Sequence, residues 1–160
     1  MKRIFLPAII LFLVATACNN PDKTSESKAV TNENNAPKTQ ADSLMADVMD
    51  GHDVGMAKYG KLTAMQNTVQ AALDSIAKLP AKAQQAAAPY KAQLEGVSKD
   101  LNYALTAMDK WMNEFNMDSA VNNMQERVKY LADEKWKVGK IKEAILGSLN
   151  KADSVLRSKF

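Results

Sequence analysis

The stretch Ala83–Phe115, AQQAAAPYKAQLEGVSKDLNYALTAMDKWMNEF, decides the fold. Its apolar residues Ala83, Ala87, Tyr90, Leu94, Val97, Leu101, Ala104, Met108, Trp111 and Phe115 follow one another in steps of three and four without a break. Such steps place all of them on one face of an α-helix, whereas a strand needs a period of two. Pro89 lies inside this frame, so the helix is either kinked there or starts near Ala88.

Working outward, the same period continues on both sides. From about Asp42 to Leu79 the stripe reads Met45, Met49, His52, Met56, Tyr59, Leu62, Val69, Leu73, Ile76, with Asp42 as the expected N-cap and Pro80 as the stop. After Asp118, read as another N-cap, it continues as Val121, Met124, Val128, Leu131, Val138, Ile141, Ile145, Leu149, Ala152, Val155, to about Lys159. Lys135 and Lys142 fall on strict heptad positions, so the seam drifts toward Val138 and Ile141. Three stripes joined by short breaks predict an all-α chain, an elongated antiparallel three-helix bundle over residues 42–160. The rival is a long helical hairpin that pairs with another chain. The short breaks favour a monomer over an oligomer.

Composition agrees with helices. Hydrophobic residues are 46% of the 160, yet aromatics are only 6%, so the apolar content is mostly Ala, Leu, Met and Val. One Cys excludes an internal disulfide, and one His excludes a His-rich metal cage.

The N-terminus reads as an address. Lys2 and Arg3 precede the uncharged run Ile4–Ala17, IFLPAIILFLVATA. As a helix that run spans about 21 Å, short of the ~30 Å hydrocarbon core, so residues 1–17 read as a signal peptide. The small residues Ala15, Thr16 and Ala17 lead into Cys18 and resemble a bacterial lipobox. That resemblance implies that Cys18 becomes the lipidated first residue of the mature chain, held by two or three acyl chains. Asn19 and Asn20 follow in place of the Asp linked with inner-membrane retention, which implies the outer membrane; the face, periplasmic or surface, is left open. Residues 18–41 are polar, with Val30 the one large aliphatic, and read as a disordered tether. Its flexible reach is about 25–30 Å. Loss of Lys2 and Arg3 lowers the net charge from +3 to +1, so no nucleic-acid partner is expected. The surplus of Lys and Arg from Ser119 to Phe160 reads as a solvated helix face.

Three short patterns then stand out. Met49-Asp-Gly-His52-Asp53-Val-Gly-Met56 resembles the MxxHDxxM signature of a group of small bacterial helical lipoproteins of unsettled function, some labelled "viral A-type inclusion protein". Ala107–Phe115 resembles their AMxxWMxxF, and Tyr130–Lys135 their YLxxEK. The likeness spans most of Asp42 to Leu156, and it implies a helical hairpin or bundle and an envelope address, not a reaction. Gly51 and Gly55 depart from the charged or branched residues the pattern leads one to expect, and each costs about 1 kcal/mol against Ala inside a helix.

Met45, Met49, His52 and Met56 share a face of the first helix. A turn near residue 81 sets Met108, Trp111 and Met112 beside His52, and a turn near residue 117 brings Met124 level with them. Read simply, this is core, because methionine fills irregular gaps and packs well on Trp. Read sharply, soft thioethers with one imidazole make a copper site, the metal-handling alternative; a Met/His haem site is more remote. Catalysis finds no support: the one imidazole has no nucleophile to activate, and no phosphate loop or nucleophile elbow is present. The expected function is therefore a membrane-anchored, non-catalytic binding or structural module of the cell envelope, with no cofactor and with an envelope protein as its partner. Trp136, one step past Lys135, lies off the stripe, either closing the core edge or contacting that partner.

Overall fold

The computed structural model describes residues 39–158, and every regular element in them is a helix. The signal-peptide reading, Cys18 and almost all of the tether lie outside the described residues. The helices are α1 (Gln40–Ala77), α2 (Ala81–Ala86), α3 (Ala88–Glu114) and α4 (Met124–Arg157). The expected three are thus four: the break at Pro80 is followed by a short helix of its own. Gln84 Nε2 donates to the carbonyls of Ala77 and Leu79, at 3.0 and 2.8 Å, and so ties α2 to the C-terminus of α1. Pro89 falls in the first turn of α3, where its missing N–H costs no helical bond.

The start of α1 differs from expectation by a few residues. Thr39, not Asp42, is the N-cap: its hydroxyl accepts from Asp42 N at 3.1 Å, while Asp42 Oδ2 accepts from Thr39 N at 3.0 Å. This reciprocal capping box makes Asp42 the third helical residue and brings Ala41 into the buried set. The start of α4 differs by more. Asn123 caps it, accepting from Glu126 N at 3.2 Å, and Asp118 lies in the loop 115–123. Tertiary contacts hold that loop out of helix. Phe115 stacks between Trp111 (4.9 Å) and Tyr130 (6.2 Å), and Tyr130 Oη accepts from Asn116 N at 2.8 Å.

Cross-helix pairs give directions and levels. His52 meets Trp111, Tyr59 meets Asp109 and Gln66 meets Ser98, so α1 and α3 run oppositely. Asp47 meets Lys135 and Lys61 meets Asp153, so α1 and α4 run together. Trp111 meets Glu134 and Asp100 meets Lys151, so α3 and α4 run oppositely. Each long helix packs on both others.

The core of α3 is the stripe read from its sequence: Ala87, Leu94, Val97, Leu101, Ala104, Met108 and Trp111 are buried. On α1 the centre is rotated from the expected one. It runs Ala41, Val48, Gly55, Leu62, Val69, Ile76 at strict spacings of seven, with Gly51 between. The expected Met45, Met49, His52 and Met56 are half-buried at its flank. Gly51 and Gly55 are contact points: a β-carbon on Gly51 would lie 2.9 Å from Val138 Cγ1, and one on Gly55 would overlap Met108 Cε. On α4 the centre is as expected from Leu131 onward, with polar Glu134 and Ser148 added to it. Val121 and Met124, expected in the stripe, are 52% and 55% exposed.

Candidate functional site

Trp111 is the hub where the three long helices meet at one end. It is placed by the α3 stripe, and its indole Nε1 donates to Glu134 Oε2 at 2.8 Å; both residues are buried. Lys137 Nζ donates to the other oxygen, Oε1, at 2.9 Å. A buried carboxylate is costly unless its oxygens are paired, and here both are. Lys137 also reaches Asp133 at 2.6 Å, and the two carboxylates, Asp133 first, raise its ammonium pKa above the ordinary lysine value. From α1 the His52 ring lies 5.8 Å from Trp111, with its Nδ1 on Asp53 Oδ1 at 2.9 Å. Two helix turns on from His52, Tyr59 Oη donates to both Asp109 oxygens, at 2.9 and 3.0 Å. That bond, then burial and then the carboxylate's charge, raise the phenol pKa from its usual 10.0.

The three sequence patterns therefore converge: His52 from the first, Trp111 and Phe115 from the second, Tyr130 and Glu134 from the third. Glu134 is the member that periodicity passed over. It sits three residues after Leu131 and four before Val138, in step with the seam, and its polarity alone disguised the position.

On the outer side of Trp111 an open groove of about 500 Å³ lies between α3 and α4, lined by Tyr103, Ala107, Lys110, Trp111, Trp136 and Ile141. Tyr103 and Trp136 stand 60% and 64% exposed on its rims. Trp136 therefore does not close the core edge. The nearby lysines are neutralised: Lys110 reaches Glu114 at 3.8 Å and Lys140 reaches Glu143 at 2.8 Å, the latter holding the Glu143 carboxyl below its usual range. The groove thus offers aromatic area with balanced charge, not a bare cationic patch.

The expected Met/His set does not share one interior. Met108 is fully buried, Met112 and Met124 are 36% and 55% exposed, and Met45, Met49, His52 and Met56 lie half-buried along α1. Met124 is not level with His52. Trp111 faces Glu134, ten residues further along α4, so Met124 lies about 15 Å beyond. The later start of α4 produces the offset. Among the described residues no three His, Cys, Asp or Glu side chains are grouped for a metal, and no helix is long and apolar enough to cross a membrane. No protein-family model, curated protein or solved structure matches this chain.

Proposed function

We propose that this chain is an outer-membrane lipoprotein, anchored through Cys18, whose helical domain is a non-catalytic binding module for another envelope protein. The domain is best classed as an antiparallel three-helix bundle, with α2 as the corner between two of its helices. The address rests on the apolar run Ile4–Ala17 ending in small residues before the one Cys. The three patterns that resemble small helical lipoproteins, distant in sequence, meet around Trp111.

The binding role is carried by one observation, the groove with Tyr103 and Trp136 exposed on its rims. Exposed Trp and Tyr are costly to leave in water, and they are the residues that anchor protein interfaces. A groove between two helices accepts the ridge of a third. Its balanced charge suits a helix of mixed charge better than a polyanion.

A photo-crosslinking residue at position 136, in intact cells, tests this reading. It should trap a discrete protein adduct that the same residue at Gln84, on the far corner helix, does not. Equal adducts at both positions, or none at 136, would reject the groove as a binding surface. The anchor is tested separately: Cys18→Ser should move the protein out of the membrane fraction, and a variant still acylated and membrane-bound would refute it.

A further inference from the structure

The loop 115–123 and the first residue of α4 hold three large apolar side chains exposed at 55% (Met117), 52% (Val121) and 55% (Met124). Such exposure within eight residues, in a segment also carrying Asp118 and Ser119, calls for an explanation. The loop is not loosely held. Arg127 Nη1 donates to the carbonyls of Met117 and Ser119, at 3.1 and 2.9 Å. Asp118 N donates to Asn116 Oδ1 at 3.0 Å, and Asn123 N to the Ala120 carbonyl at 3.0 Å. Ala120 is kept at φ 55°, the one non-glycine residue with positive φ among the described residues. Sequence and strain are thus spent on a fixed loop whose apolar side chains face water.

Where this loop sits says what covers it. The contacts Asp47–Lys135 and His52–Trp111 put the start of α1, the end of α3 and the start of α4 at one end of the domain. Thr39, where the described chain begins, is therefore at the same end as the loop. The polar sequence from Asn19 to Lys38 is all that separates Cys18 from Thr39. On the lipid-anchor reading, the chain therefore leaves the domain toward Cys18 from this end and not from the α2 end.

We infer that the α3–α4 loop is a membrane-contacting tip: Met117, Val121 and Met124 enter the boundary between headgroups and acyl chains and orient the domain upright on the membrane. The inference rests on the lipid-anchor reading. Asp118 lies within the tip and Glu126 just after it, and the Arg127 guanidinium is engaged with loop carbonyls, so contact is driven by apolar area and not by attraction to anionic lipid. Tethering makes it sufficient for a small apolar area to act, because the anchored tip meets the surface as an intramolecular partner.

The test uses the full acylated protein carrying Val121→Trp, purified from membranes and reconstituted into phosphatidylcholine vesicles with brominated acyl chains. With the parent's emission, from buried Trp111 and exposed Trp136, subtracted, the tip Trp should emit to the blue of Trp136 and be quenched at least twofold by the bromolipid. The parent itself, with Trp136 about 18 Å from Met124 along α4, should be quenched little and serves as the reference. Adding Met117→Asn and Met124→Asn should abolish most of the tip quenching with helicity unchanged. An acylated, folded chain whose residue 121 is unquenched overturns the inference and leaves the anchor standing. Blue emission without bromolipid quenching also overturns it, because a second protein copy then covers the tip. Mass measurement reports acylation independently, and an unacylated chain brings down the anchor reading and this inference with it.

Discussion

At Gly51 a β-carbon would lie 2.9 Å from Val138 Cγ1, whereas at Gly60 it would meet nothing within 4 Å. Both positions gain helix propensity on mutation to Ala, about 1 kcal/mol, so the neighbour decides the sign. Val138 is β-branched and cannot swing aside, so Gly51→Ala should lower stability by about 1 kcal/mol net after an overpacking cost of roughly 1–3. Gly60→Ala should raise it by about 0.5–1 kcal/mol. Urea denaturation of the two variants checks both signs. Gly55→Ala should fall between them, because the atom in its way is the free end of Met108. Tyr59 gives a pH signature. Its phenol pKa is raised in the folded protein, first by the bond to Asp109, so the fold holds that proton more tightly than the unfolded chain. The contribution is complete below the unfolded value near 10 and is lost as pH rises through the higher folded value. Tyr59→Phe should therefore cost about 1 kcal/mol at pH 8, and its deficit against the parent should shrink above pH 10 in paired melts. A deficit unchanged at pH 11 would mean that the fold holds the phenol proton no more tightly than the unfolded chain does.

Among the elements, α3 was legible residue by residue, because its stripe is unbroken and Pro89 admits few starting points. The beginning of α4 was not. Asp118 and Asn123 are both good caps, and the sequence 119–123 does not forbid helix. The choice falls to Asn123 because Phe115 stacks with Trp111 and Tyr130, and Arg127 holds the loop carbonyls. Those partners lie up to 15 residues apart and have no signature in local periodicity. The loop keeps Ala120 in the left-handed region, which costs an L-residue about 1–2 kcal/mol. Ala120→Gly should therefore stabilise the domain by up to about 1 kcal/mol, the gain reduced by glycine's larger unfolded-state entropy. A loss of stability on that change, read by thermal denaturation, would show that the backbone there is not strained.

For the molecule as a whole, Leu101 is fully buried at the middle of the α3 stripe, and Leu101→Ala should cost about 2–5 kcal/mol. Deleting residues 25–38 should leave the melting temperature nearly unchanged, because that polar stretch offers little apolar area to bury. A drop beyond about 5 °C would mean roughly 1 kcal/mol of packing by the tether. The sequence by itself determined that the described residues are helical, roughly where the three long helices lie and which face of α3 is buried, because a 3.6-residue period is local and repeats many times. It also carried the whole case for the lipid anchor, whose signals are contiguous. Only the tertiary structure decided the rotation of α1 about its axis and the level of α4 against α3. The first turns on glycines, which score as gaps in a hydrophobic stripe but are the places where Val138 and Met108 press closest. The second turns on a loop length set by aromatic stacking, and a shift of a few residues there moves every later side chain by 1.5 Å per residue along the axis. That displacement exchanged Met124 for Glu134 beside Trp111, and it put a buried Trp–Glu pair, closed from outside by Lys137, where Met124 was expected, with an apolar tip beyond it.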